Sequence, residues 1–198
     1  MNVALSRRPW GSRNFVDPAI YDAPLTRRGR NQAARTEIHA EVDLIVSSPL
    51  TRALQTTVGV FGDERLRATP SLALPLASER VYLSSDVGTA KADLVTRWGD
   101  LFSFDALDQE DWWWGADRPP PVDDDWRPPG KYVAAGEPID AFVDRMHRLL
   151  AWIHQRPEGT IALVAHWGVL HALTGADFSN CEVRTFDAAD LRVRPPPY

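Results

Sequence analysis

Asp43-Leu44-Ile45-Val46-Ser47-Ser48-Pro49-Leu50-Thr51-Arg52-Ala53-Leu54-Gln55-Thr56-Thr57 is the stretch whose reading decides the fold. Leu44 to Val46 form a short, β-branched apolar run of the kind a buried strand shows, and Ser48-Pro49 reads as an N-cap followed by proline at the first helical position. A strand therefore passes directly into a helix. The first helical turn carries unpaired amides and the positive end of the macrodipole, so such a junction holds anions well. Arg52 lies on that turn. Its planar fork of donors suits phosphate, and the neighbouring serines add hydroxyls. A solvated helix arginine is the plain alternative, and local physics leaves the two open.

Thr160-Ile161-Ala162-Leu163-Val164-Ala165 is a second strand, apolar on both faces as in a parallel sheet covered by helices. It ends in His166, after which residues 167–173 read as a helix. Ligands of open α/β sheets bind beyond the carboxyl ends of strands, which is where both junctions put their polar residue. An imidazole and a guanidinium are thus expected at one sheet edge. His171, within the second helix, reads as a packed histidine.

The clearest helix runs from about Glu137 or Pro138 to Gln155. Ile139, Phe142, Val143, Met146, Leu149, Leu150 and Ile153 make one apolar face, and Pro157 and Gly159 stop it. His147 and His154 flank that face and read as packing or surface residues. Upstream, residues 1–24 are polar and irregular, with Arg7, Arg8 and Arg13 reading as solvated unless they extend an anion site. Thr26 caps a helix continuing to about Ala40. The helix after Ser48 is expected to end near residue 61, followed by a loop and a short strand near Leu66 to Leu74, a polar loop from Ala77 to Thr89, and a helix to Trp98. Cys181 to Asp187 reads as a last strand.

Residues 105–136 differ in character, holding Trp112-Trp113-Trp114, Pro119-Pro120-Pro121, Asp123-Asp124-Asp125 and Trp126. Proline at this density cannot make a regular element, so the segment reads as an ordered, tryptophan-anchored insertion. As a whole it suits a lid, whereas each single tryptophan reads as a pin to the core. The rest of the chain is ordinary: 198 residues, 44% apolar and 25% charged, suffice for one domain spanning 1–198. A net charge of −5 argues against nucleic acid or an anionic membrane as the main partner. The lone Cys181 excludes an internal disulfide and a thiolate metal cluster, and no metal or cofactor is expected. No signal or membrane-spanning pattern is present, which leaves a soluble, cytoplasmic protein as the expectation. Oligomeric state is not legible.

These residues carry a resemblance. Asp22-Ala23-Pro24-Leu25-Thr26, with Gly29 and Gln32-Ala33, resembles the D-x-P-L-T-x-x-G-x-x-Q-A stretch of the histidine phosphatase (phosphoglycerate mutase-like) superfamily. Ser47 to Thr56 is similar to its S-S-P-L-x-R-A-x-Q-T block almost throughout, and Ala165-His166-Trp167-Gly168 resembles its second histidine motif with Trp167 in the place of a glycine. The tryptophan-rich insertion and Asn180 to Arg184 look like a plant, fungal and bacterial phosphatase-like branch. The resemblance implies an α/β fold with a mostly parallel sheet flanked by helices on both faces.

It also implies a mechanism. A histidine in a leading Arg-His-Gly motif attacks phosphorus and carries the phosphoryl group, while two arginines and the second histidine hold the equatorial oxygens. Arg52 matches one arginine and His166 the second histidine. Glu79 stands where the family places the acid that protonates the leaving oxygen, which needs a raised pKa; a surface glutamate is the bland alternative. Arg-His-Gly occurs nowhere in the 198 residues. Met1-Asn2-Val3-Ala4 looks like the end of that stretch, with Asn2 as its phosphate-binding asparagine, so the first central strand and the nucleophile are expected just upstream of residue 1. Three functions follow: a phosphomonoester hydrolase lacking its nucleophile as written, a non-catalytic phosphate binder, or a phosphoglycerate mutase. The acidic, tryptophan-rich character of residues 80–136 speaks against the mutase. The expected ligand is a small phosphorylated substrate or inorganic phosphate, gripped by Arg52, Asn2 and Ser48.

Overall fold

β1 (Leu44–Ser47) is buried at every residue, and its side chains alternate between two separate cores. Leu44 and Val46 point into one; Ile45 points into the other. Only a strand covered by helices on both faces requires this. A computed structural model, which describes residues 20–81, 83–113 and 136–195, supplies the covering layers. Helices α4 (Ile139–His154) and α5 (Trp167–Thr174) bring Phe142, Met146, Leu149, Val169 and Leu173 to the first face, whereas α2 (Thr51–Ala68) and α3 (Lys91–Trp98) bring Leu54, Phe61, Leu66 and Leu94 to the second. Each large apolar side chain buried in this way contributes about 1.5–3 kcal/mol.

The sheet is parallel, in the order β2-β1-β3, with β2 at Ser71–Ala73 and β3 at Ile161–Val164. Ser47 pairs with both Ala73 and Val164, so the carboxyl ends of all three strands lie level. This is the α/β architecture expected from the two strand-to-helix junctions. β3 is only half-buried, unlike the fully covered strand its apolar run predicts, and among the described residues it has a partner on one side only.

Several boundaries differ from the sequence reading. Thr26 does cap α1 (Arg27–Ala33), accepting from the Gly29 amide, but the helix stops at Ala33 rather than near Ala40. α2 runs to Ala68 instead of ending near 61. Gly62, at φ +73°, breaks the helical path, and a second short helical piece resumes beyond it. A glycine reaches that conformation without strain. Leu66 is therefore helical, and the strand expected near 66–74 shrinks to Ser71–Ala73. Residues 181–187 form no strand; nearly all are exposed and offer no buried face to pair. The polar loop of 77–89 is irregular as expected but is not a surface loop, because Ala77, Val81, Ser84, Asp86 and Val87 are buried.

Of the tryptophan-rich segment, residues 114–135 lie outside the described residues. Trp112 pins its start. The indole donates to the Thr89 carbonyl at 2.9 Å and packs so closely on Gly88 that a methyl group there would sit 2.4 Å from the ring.

Candidate active site at the carboxyl edge of the sheet

The β1–α2 junction is built differently from a simple capped helix. Leu50, not Ser48, occupies the cap position, and its side chain caps nothing. Ser48 Oγ instead accepts from the Leu50 amide at 3.2 Å, closing a local turn two residues long. The amide of Thr51 is taken by Asp22, whose carboxylate also accepts from the hydroxyls of Thr51 and Thr89, at 2.7, 2.6 and 2.6 Å. The chain thus supplies its own anion to the first turn of α2. The macrodipole argument for an external phosphate at that turn is spent on Asp22, a residue the sequence reading quoted but gave no role.

Arg52 points away from its own helix. Its guanidinium donates to the Ser85 carbonyl and to Asp86 Oδ1, the latter at 2.8 Å. Asp86 Oδ2 accepts from the Leu83 amide at 3.0 Å. Both side chains are largely covered, so this pair is far less screened than a surface one. Arg52 is therefore not a solvated helix residue.

His166, at the start of α5, is buried, and its Nε2 shares a hydrogen bond with Ser48 Oγ at 2.8 Å. The contact ties the end of β3 to the end of β1. Burial, reinforced by the Arg52 guanidinium, holds the imidazole well below its ordinary pKa of 6.5. At neutral pH the ring is therefore neutral.

Glu79 follows the 3-10 turn Pro75–Ala77. Its carboxylate accepts from the amide of Arg80 at 3.0 Å and, in a longer contact of 3.4 Å, from that of Gly168 in the first turn of α5. The residue as a whole is only partly covered, but its carboxyl end is enclosed, and burial, then the Asp86 charge, push its pKa up from 4.5 against the pull of Arg52 and these two amides. A carboxyl so placed keeps its proton longer than a surface glutamate.

Arg52, Glu79 and His166, spread over 115 positions of sequence, thus meet at one end of the sheet, close enough for the Arg52 charge to act on both of the others. Ser48 lies among them. Asn2 lies outside the described residues. Asp86 is an addition, hidden in the sequence within an undistinguished Ser-Ser-Asp. His147 is exposed and His154 meets the Ala188 carbonyl at 2.9 Å, both surface roles as read. His171 stacks on Trp167 with ring centres 4.8 Å apart, again as read. A shallow surface cleft lined by Leu66, Pro70, Ser71 and Phe102 adjoins the opposite, amino end of β2 and is remote from this cluster.

A buried neutral imidazole, a covered guanidinium and a carboxyl with a raised pKa make a set able to bind an anion and to deliver a proton to it. The chain is similar to several known proteins. The profile of the histidine phosphatase superfamily (branch 1) matches residues 98–192. Phosphoglycerate mutase-like protein 1 of Arabidopsis thaliana is 29% identical, over 89% of this chain and 73% of its own length. A second Arabidopsis phosphoglycerate mutase-like protein is 26% identical over 86% and 74%. Among solved structures, the α-ribazole phosphatase of Shigella flexneri superposes with a TM-score of 0.47 at 21% identity, covering 80% of this chain and 73% of that one. By the profile over residues 98–192 and the two plant relatives, the chain is similar to members of the histidine phosphatase superfamily.

Proposed function

We propose that this chain carries the phosphate-handling face of a phosphomonoester hydrolase of the histidine phosphatase type. The observation that carries the reading is the meeting of Arg52, His166 and Glu79 at the carboxyl edge of the sheet, with Glu79 biased toward its protonated form and His166 toward its neutral one. In this reading Arg52 and the His166 ring hold the non-bridging oxygens of the phosphoryl group. Ser48 orients that ring through the bond at 2.8 Å. Asn2 is assigned to the same anion. When a nucleophile takes the phosphoryl group and the bond to the leaving oxygen breaks, Glu79 gives its proton to that oxygen, which departs as an alcohol, and the carboxylate left on Glu79 is held by the pull of Arg52 and the two amides.

Arriving phosphate brings negative charge beside His166 and offsets the Arg52 charge that disfavours imidazolium, so binding shifts the ring toward its protonated form. Nucleophilic attack needs an imidazole that Arg-His-Gly would supply, and that motif is absent from the 198 residues. Turnover through phosphohistidine is accordingly not assigned to these residues by themselves.

The tryptophan-rich segment and Asn180 to Arg184 are what suggest the phosphatase-like branch of plants, fungi and bacteria. A mutase would need a cationic wall for a second anionic group, whereas residues 80–113 carry Asp86, Asp93, Asp100, Asp105, Asp108, Glu110 and Asp111 against Arg80, Lys91 and Arg97. Titration calorimetry with orthophosphate, run beside hydrolysis of an aryl phosphate, tests the reading. Saturable phosphate binding that weakens at least about tenfold in Arg52→Met and His166→Asn supports it; no binding in the folded chain at millimolar phosphate refutes it. Because these residues hold no Arg-His-Gly, binding with no hydrolysis is expected of both the phosphatase reading and the non-catalytic alternative.

A further inference from the structure

α4 carries its apolar stripe at Phe142, Met146 and Leu149, yet the position that shares this buried face is Arg145, at 9% exposure. A guanidinium placed inside a core must find a partner for each of its five N–H groups. Arg145 does so. Nε and Nη2 grip the two carboxylate oxygens of Glu137 at 2.8 and 2.6 Å, a bidentate pair in which Glu137 is 1% exposed. Nη1 donates to the carbonyls of Leu76 and Ser78 at 2.9 and 2.8 Å, and Nη2 lies 3.5 Å from the carbonyl of Glu79. Its carbon rests over the Phe142 ring, 5.0 Å from the centroid.

Three carbonyls of one short turn, from residues 76, 78 and 79, thus converge on one side chain. The same turn is held from its other end by Glu137, whose amide donates to the Val81 carbonyl at 3.0 Å and whose carbonyl accepts from Arg80 Nε at 2.7 Å. Glu137 pairs with Arg145 at contact distance, and neither appears among the charges that act on Glu79, which are Asp86 and Arg52, although the Arg145 charge does reach His166 and lowers its pKa. The clamp therefore works on Glu79 through backbone position.

We infer that Arg145, locked by Glu137, is a positioning residue that fixes the backbone of residues 76–79 and so holds the Glu79 carboxyl between Arg52, Asp86 and the amino end of α5. This rests on the reading of Glu79 as the proton donor. A lysine cannot replace it, because an ammonium lacks the planar fork that reaches a bidentate carboxylate and two carbonyls together. The groups facing Glu79 are Arg52 from α2, Asp86 from the Ser84–Asp86 turn, and the Arg80 and Gly168 amides.

The test is the titration of the Glu79 carboxyl, followed by carbon-13 NMR and assigned with Glu79→Gln, in the full chain without phosphate. Two variants are compared: Arg145→Lys, and the double variant Glu137→Leu/Arg145→Met, which leaves no buried charge unpaired. Both are expected to melt cooperatively, with Glu79 titrating closer to 4.5 than in the parent, because a released turn lets water reach the carboxyl. A merely structural arginine would lower the melting temperature and leave that titration in place. Unchanged Glu79 titration in either folded variant overturns the inference, and so does failure of both variants to fold. Orthophosphate binding is read separately, so a chain that binds none defeats the proposed function without touching this result.

Discussion

Replacing Arg52 by methionine separates what that residue does for the fold from what it does for an anion. The guanidinium is the charged partner of Asp86 at 2.8 Å, and the two side chains are 15% and 7% exposed. Removing one member of a buried pair costs about 3–5 kcal/mol, mainly because the other charge is left uncompensated. Asp86 keeps the Leu83 amide, so the lower figure, about 3 kcal/mol, applies. For a chain of this length that lowers the melting temperature by roughly 6–12 °C. Arg52→Met/Asp86→Asn no longer buries an unpaired carboxylate and is expected to recover most of the loss. Anion binding follows the opposite logic. A charge-assisted hydrogen bond contributes about 1.5–3 kcal/mol, so orthophosphate binds about 10- to 150-fold more weakly in the single variant. The double variant removes the same donor and stays equally weak. Thermal melts and calorimetry on the three proteins decide the matter. A double variant that recovers stability and also binds phosphate like the parent would refute the assignment of Arg52 to the anion.

Further outcomes follow from the same contacts. His166 has a lowered pKa in the fold, so the unfolded chain binds the extra proton; stability from this group is complete above about pH 6.5 and falls as pH drops below it. In His166→Asn the melting temperature is expected to fall less between pH 6.5 and 5 than in the parent, and parallel curves would contradict this. Glu79 has the reverse sign: its raised pKa means that stability is lost as pH climbs from 4.5 through the folded value, so Glu79→Gln gains on the parent over that interval in denaturant titrations. Asp22→Ala cuts bonds of 2.7, 2.6 and 2.6 Å joining three segments and is expected to cost at least about 3 kcal/mol, since bonds to a charged group contribute about 1.5–3 kcal/mol each. Urea unfolding measures it. Gly88→Ala drives a methyl group into the Trp112 ring and is expected to cost about 1–3 kcal/mol, with a red-shifted tryptophan emission; an unshifted spectrum at parental stability would show that the indole yields freely.

What the amino-acid sequence determined alone was local. The apolar runs at 44–46 and 161–164 and the three- and four-residue spacing in 139–153 marked two strands and an amphipathic helix, because period is a property of neighbouring residues, whereas the cover that β3 lacks is not. The same junctions marked Arg52 and His166 as residents of one sheet edge. Glu79 needed the family resemblance, since nothing in Ala77-Ser78-Glu79-Arg80 announces a buried carboxyl. One signal was present and unread: Arg145 interrupts the apolar stripe of α4, and an arginine in that place requires a buried acid, here Glu137. The length of α2 turned on Gly62, whose positive φ a sequence does not display. Tertiary structure alone decided the partners. Asp22 reaches Thr51 across 29 positions, Arg52 reaches Asp86 across 34, and His166 reaches Ser48 across 118. The elevated Glu79 and depressed His166 arise from this enclosure, because a pKa records the charges and the water around a group, and only the folded chain fixes where those are.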